Sequence, residues 1–344
     1  MAVTTAAGAP HIPAQNSVQK VMAQVLVALL PGVLAYLYYF GIGMLVQIVL
    51  ALSFAYLFEW LSLLLRKQPL RMFMGDLSAA VTALLFALSL PPLAPWWCSL
   101  IGMLFAIVIA KHVFGGLGHN RFNPAMVGLA VLLISFPRIF TYWTPPLMLA
   151  DTSLSLGDVL YTIFSSQPPG ALGWDAITQA TPLDQLSTGA ATGLLVTEVR
   201  QNPVFGDFGG LGWEWIANWY AIGGLWLLWR RVINWRVPVA LLLTTFLLTT
   251  PFYLFDPDAN PLPLQHIFSG ATVLAAFFIA TDPVSGSATP RGQLLFGVGV
   301  AIIMLSIRRW GAYPDGVAFA ILVMNMFAPL LDQYTRPRVF GHPR

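Results

Sequence analysis

An all-α polytopic membrane fold is what this sequence predicts: about ten transmembrane helices in two inverted five-helix repeats, with a large loop between them on the outer side. Three observations carry that expectation. Of the 344 residues, 57% are hydrophobic and 9% charged, where an ordinary soluble domain carries roughly a quarter charged residues. The apolar residues gather in runs approaching the ~20 needed to cross hydrocarbon. The 12 Trp and the 13% aromatic content suit rings placed at two membrane–water interfaces.

Segment 1–20 has no basic stretch ahead of the first apolar run, so no cleaved signal is expected and the first span is retained. Spans follow at 21–40, 43–65, 72–91, 95–113 and 122–137, a first five-helix repeat over 21–137. A second repeat over 218–334 contains spans at 218–235, 237–255, 267–281, 293–307 and 317–334, and leaves a tail at 335–344. The fifth and eighth runs are short and open near Asn123-Pro124 and Ser269-Gly270, which predicts broken or tilted helices lining a cavity. Ser78-Ala79-Ala80 through Phe86 to Pro91-Pro92 resembles Ser269-Gly270-Ala271 through Phe277 to Asp282-Pro283 at an offset of 191 residues. That offset pairs the third span with the eighth. Five spans per repeat is an odd number, so the two halves run with opposite topology.

Orientation follows from the basic residues. With the N-terminus inside, thirteen of the 17 Lys and Arg fall on the cytoplasmic side, and Arg138, Arg200, Arg308 and Arg309 fall outside. Both termini are then cytoplasmic, and segment 138–217 is outside. Its acidic residues and paired prolines exclude a span. Connections of this length are usually functional or disordered, and its Trp and Leu content predicts an ordered lobe hugging the membrane.

Several function classes drop out. The net charge of +3 sits on residues that edge the spans, so no nucleic-acid surface is expected. The single cysteine, Cys98, cannot ligate an iron–sulfur centre. His11, His112, His119, His266 and His342 lack ligand spacing, so no metal site is expected. No dinucleotide fingerprint joins a strand to a helix, so NADH binds elsewhere, and no residue is assigned a catalytic role. Ionisable groups within spans are functional candidates by default. Glu59, Asp76 and Asp332, with Lys111, lie near the cytoplasmic ends of their spans. The three carboxylates are candidates for an ion path, and paired interfacial charges explain them equally well.

Within the loop stands Asp175-Ala176-Ile177-Thr178-Gln179-Ala180-Thr181-Pro182-Leu183-Asp184. The order Asp, two residues, Ser or Thr, one residue, Ala, Thr resembles the flavin-transferase acceptor motif of the Rnf and Na+-translocating NADH:quinone reductase complexes. Further stretches are similar to the NqrB/RnfD family of membrane proteins: Leu90-Pro91-Pro92-Leu93-Ala94-Pro95, Gly115 through His119-Asn120-Arg121-Phe122-Asn123-Pro124 to Met126, and Phe278 to Pro283. Length and span order match along nearly the whole chain. Gln179 departs from the glycine common in related motifs, which bears on flexibility more than on chemistry.

The resemblance implies FMN joined by a phosphoester to Thr181, with Asp175, Thr178 and Asp184 as motif context, and a non-covalent riboflavin as found in relatives. It implies a bacterial inner membrane with the flavin loop in the periplasm. It also implies the A, B, C, E and G subunits of Rnf and a flavin transferase as partners besides membrane lipid, and coupling of NADH–ferredoxin electron transfer to Na+ or H+ transport. A threonine hydroxyl is a weak nucleophile that needs an activating enzyme, so its acceptor segment must be exposed and bendable. Thr272 has His266 in place of the motif Asp, Thr192 has Gly189 and Thr289 has Gly286 in place of the hydroxyl residue. Only Thr181 meets both spacing and compartment. His119, Asn120 and Asn123 are candidates for a second flavin or a partner, and a glycine bend needing no ligand is the competing reading. The rival functional class is a solute channel or secondary transporter, for which inverted repeats and broken helices are the usual features.

Overall fold

A computed structural model describes residues 17–170, 172–313 and 315–336. The expectations for 1–16 and 337–344, with His11 and His342, lie outside the described residues. Among the described residues the regular structure is helical, α1 to α16 in chain order. The first repeat holds α1 (Val18–Phe40), α2 (Gly43–Leu65), α3 (Leu70–Met74), α4 (Ser78–Ala87), α5 (Trp96–Met103) and α6 (Pro124–Ser135), with α5 running on as a π-helix over Leu104–Val113. The second holds α11 (Trp213–Trp229), α12 (Arg236–Phe255), α13 (Pro263–Phe268), α14 (Thr272–Leu274), α15 (Pro290–Trp310) and α16 (Val317–Tyr334), with a π continuation of α14 over Ala275–Ile279.

Six of these are long and apolar enough to cross a membrane: α1, α2, α5 with its continuation, α12, α15 and α16. The other expected spans are short or broken. The eighth breaks where the sequence predicts it, at Gly270, whose φ of 63° separates α13 from α14. The third breaks too, which the sequence does not announce: Leu77 takes φ 63°, and its successor Ser78 gives its N–H to Asp76 Oδ1 at 2.8 Å. The sixth begins at Trp213, ahead of the expected 218, because Glu214 does not face lipid: its carboxylate accepts the N–H groups of Phe208 and Gly209 at 3.0 and 3.1 Å.

The helices also refine the repeat. Gly43 and Arg236, Leu77 and Gly270, and Pro124 and Val317 each stand 193 residues apart, two more than the residue-type match suggested. The third and eighth spans pair as expected, aligned on their left-handed residues rather than on serine. The chemistry at the two breaks repeats as well. In the first half a carboxylate (Asp76) takes the Ser78 N–H and Lys111 Nζ reaches the Ser78 hydroxyl at 2.8 Å. In the second, Asp315 takes the Ala271 N–H at 2.8 Å and Arg308 Nη2 reaches the Thr272 hydroxyl at 2.8 Å.

Between the repeats, segment 138–217 carries α7 (Leu156–Ser165), α8 (Trp174–Ile177), α9 (Pro182–Thr192) and α10 (Val196–Val199). It has a small core of its own, in which Val159, Ile163 and Ile177 pack with Leu93 and rest on Val46, Leu50 and Trp96 of the spans below. The loop is bonded to neighbouring connections: Leu147 N–H to Tyr39 O at 2.7 Å and Val196 N–H to Asp258 O at 2.7 Å. These tie 138–217 to the α1–α2 and α12–α13 connections.

Candidate functional site

Thr181 is the N-cap of α9, in extended backbone (φ −65°, ψ 160°), with Pro182 at the first helical position. Proline fits there because its missing N–H would be unpaired in any case. The Thr181 hydroxyl donates to Asp184 Oδ2 at 2.6 Å and accepts the Asp184 N–H at 3.2 Å, while the Thr181 N–H donates back to Asp184 Oδ2 at 3.3 Å. This reciprocal capping box satisfies orphan donors at the helix start. Thr178 spends its hydroxyl on Trp174 O at 2.8 Å, and Asp175 is exposed in the first turn of α8. The stretch between them and Thr181 is anchored by Gln179 N–H to Trp143 O at 2.7 Å and by Ile177 in the lobe core. Gly210 lets the lobe close on α9: a Cβ there would stand 2.3 Å from Pro182 Cγ.

Thr181, half-buried, opens onto a cavity of about 530 Å³ between the two repeats. Tyr36, Met126 and Leu129 line it from the first half, Tyr220, Leu274 and Val317 from the second, and Trp143 and Trp213 from the lobe and its exit. The polar groups on the wall include Arg138, Asp184, Asp315 and Ser269. The hydroxyls of Tyr36, Tyr220 and Ser269 are buried without a hydrogen-bond partner, an arrangement native proteins rarely leave unfilled. A volume within the ordinary small-molecule range, aromatic walls and convergent unpaired hydroxyls suit a planar ring with polar edges. A flavin esterified to Thr181 fits these residues. Tyr36, Tyr220, Arg138 and Asp315 carried no motif, Ser269 was legible only as the opening of a broken helix, and packing alone brings the five to Thr181.

Burial pushes the Asp184 carboxyl above its ordinary range, the hydroxyl and amide of Thr181 pull it back, and the charge of Asp315 adds to the rise. A group raised on folding gives its full stability below its unfolded value and loses it as pH climbs through the folded one. Asp184→Asn is expected to flatten the fall in amide-exchange protection of α9 from acid to neutral pH. An unaltered pH profile in that variant would remove Asp184 as its source.

The other threonines separate on structure as well as on motif. Thr272 is fully buried, bonded to His266 O at 2.9 Å and to Arg308. Thr192 bonds to Thr188 O at 3.0 Å, and Thr289 caps α15.

Asn123 caps α6 through the Met126 N–H at 3.2 Å, and its own N–H donates to Asn325 Oδ1 at 2.9 Å. Asn120 donates to Phe122 O at 3.2 Å, and His119 is exposed. Gly115, Gly116 and Gly118 all have positive φ, so the glycine run is needed for its bend. The two asparagines border a cavity of about 100 Å³, which His119 does not line. That volume is below the range of small-molecule sites, so a riboflavin does not fit it as it stands.

Glu59 and Asp76 meet through Lys111 and Ser78. Asp332 lies elsewhere, accepting from the Ser287 hydroxyl and the N–H groups of Ala288 and Thr289.

The model of the NQR2, RnfD, RnfE family matches residues 5–341. The D subunit of the ion-translocating oxidoreductase complex of Yersinia pseudotuberculosis serotype O:1b is 48% identical over 344 residues, covering 98% of either chain. The proteins of the same name from Aeromonas hydrophila and Vibrio vulnificus are 49% and 47% identical, each over 98% of this chain and 99% of their own.

Proposed function

The chain belongs to the NQR2, RnfD, RnfE family, and from that premise we propose that it is a membrane subunit of an ion-translocating oxidoreductase complex, carrying FMN esterified to Thr181 and relaying electrons at the periplasmic face of a bacterial inner membrane. The observation that carries the reading is a complete acceptor motif whose threonine caps a helix and opens onto an aromatic cavity of about 530 Å³. When bound, the isoalloxazine supplies the capacity to take up and pass on electrons. The chain's own residues do the rest. Trp143, Trp213, Tyr36 and Tyr220 supply the apolar walls, and the unpaired Tyr36, Tyr220 and Ser269 hydroxyls offer donors to polar ring edges.

Attachment would form a bond from Thr181 Oγ1 to the flavin-side phosphorus of a flavin dinucleotide held by the transferase, the hydroxyl proton would leave, and the phosphoanhydride would break so that the nucleoside monophosphate departs with the bonding electrons. A flavin transferase is the activating enzyme. Asp184, 2.6 Å from the hydroxyl, is placed to take that proton. NADH and ferredoxin react elsewhere in the complex, at iron–sulfur and flavin centres carried by its other subunits, A, B, C, E and G of Rnf. Glu59, paired with Lys111, and Asp76 and Asp332 are the candidates for Na+ or H+ passage. Both termini are then cytoplasmic.

Denaturing gels test the reading. Flavin fluorescence is expected to migrate with the wild-type polypeptide and to be absent from Thr181→Ala, while Thr192→Ala keeps it. Fluorescence persisting in Thr181→Ala, or a colourless wild-type protein that moves solute alone, overturns it.

A further inference from the structure

We infer that the Arg138 guanidinium holds the phosphoryl group on Thr181, an assignment that rests on the flavin reading above. Three charged side chains line the cavity: Arg138, Asp184 and Asp315. Asp315 is already matched, with Arg308 Nη2 at 3.1 Å and the N–H groups of Ala271 and Val317 at 2.8 and 3.3 Å. Asp184 is tied to Thr181. Arg138 has no carboxylate in ion-pair range among the described residues. It sits on the tight turn Pro137–Thr141 that follows α6, and its guanidinium lies over the Tyr142 ring at 5.9 Å. Tyr142 in turn stacks on Trp174 at 4.4 Å and 3°, the residue immediately before the acceptor motif. The arginine is thus exposed at the cavity rim, over a ring that stacks on the residue before the acceptor motif, and is left with an open valence.

Esterification changes the charge on this wall. It removes the proton that Thr181 gives Asp184 and sets a phosphodiester anion against that carboxylate. Two adjacent anions in a half-buried site repel strongly, and the α9 N-terminus offsets only part of a charge. Among the described residues lining the cavity, Arg138 is the cation available to balance it. Its planar fork matches phosphate oxygens two at a time. Unmodified, the site has a surplus cation; modified, the charges match.

A double-mutant cycle tests this on the full chain co-expressed with its flavin transferase. The thermal unfolding midpoint would be read for wild type, Arg138→Gln, Thr181→Ala and the double variant, with flavin content checked by absorbance. Flavin is expected to raise the midpoint, Arg138→Gln to lose most of that rise, and Arg138→Lys to keep part of it. In the Thr181→Ala background Arg138→Gln is expected to do nothing. Equal effects of Arg138→Gln in both backgrounds, including a general folding defect, or no effect in either, overturn the assignment. Absence of flavin from the wild-type polypeptide overturns the flavin reading itself, and is seen before any arginine variant is measured.

Discussion

Glu59→Ala is expected to destabilise the protein by about 3–5 kcal/mol, the cost of leaving a buried charge without its partner. Glu59 and Lys111 are both nearly fully buried, and Lys111 Nζ lies 2.8 Å from each Glu59 oxygen. The remaining lysine valence goes to the Ser78 hydroxyl, which passes its own proton to Asp76 Oδ1 at 2.6 Å. On the other flank His112 Nε2 is 3.1 Å from Glu59 Oε2, a polar contact off the line of a hydrogen bond, and its Nδ1 is 3.0 Å from Arg66. Truncating Glu59 strands Lys111 and His112 together in a buried setting. Replacing both members by apolar residues of similar volume removes the charges as a pair, so Glu59→Met with Lys111→Met is expected to recover most of the loss. Unfolding in graded denaturing detergent reads both variants. A Glu59→Ala midpoint equal to wild type would show that the pair contributes nothing net.

The sequence foreshadowed this network only in part. Glu59, Asp76 and Lys111 could be seen near the ends of their spans, and pairing is one of two readings their positions allow. Nothing in their spacing showed that Ser78, at the start of a broken helix, would join them. The breaks themselves were half-legible. Gly270 announces one, because glycine adopts positive φ freely, whereas its counterpart Leu77 does so as an ordinary apolar residue held by the Asp76 carboxylate behind it.

The boundaries of α2 and α16 were readable because predominantly apolar runs end in charge or proline-rich sequence. The start of α11 was not, since Glu214 reads as loop until Phe208 and Gly209 are seen to bond it. Thr181 was found from a motif, which is local. The walls that make it a site come from α1, α6, α11, α14 and α16, and residues so far apart converge only through helix packing, which no window of sequence contains.

That packing depends on close approach of α1 and α11, and Gly223→Ala is expected to oppose it at a cost of about 1–3 kcal/mol, the range for overpacked interiors. A Cβ at Gly223 would stand 2.0 Å from the carbonyl oxygen of Ala28, and backbone cannot swing aside as a side chain can. Helices in lipid rely on such small residues because lipid offers no hydrophobic drive to press them together. Gly299 supplies the matched comparison. It is also within a span, but the Cβ there would meet the thioether of Met324 at 2.4 Å, the end of a flexible chain. Alanine recovers up to ~1 kcal/mol of helix propensity, so Gly299→Ala is expected near neutral. If the two variants unfold at the same detergent fraction, backbone contact between α1 and α11 is not what limits the site. The consequence for the cavity follows from the next turns of the same helices. Tyr36 of α1 and Tyr220 of α11 both line it, and Gly32 accepts the Tyr220 ring, whose Cε1 would lie 2.1 Å from a Cβ there. Separating the helices at Gly223 would move both tyrosines off the cavity wall while leaving Thr181 and its cap intact. The flavin of Gly223→Ala is therefore expected to remain covalently bound in gels, but to be more accessible to aqueous quenchers in the folded protein than in Gly299→Ala.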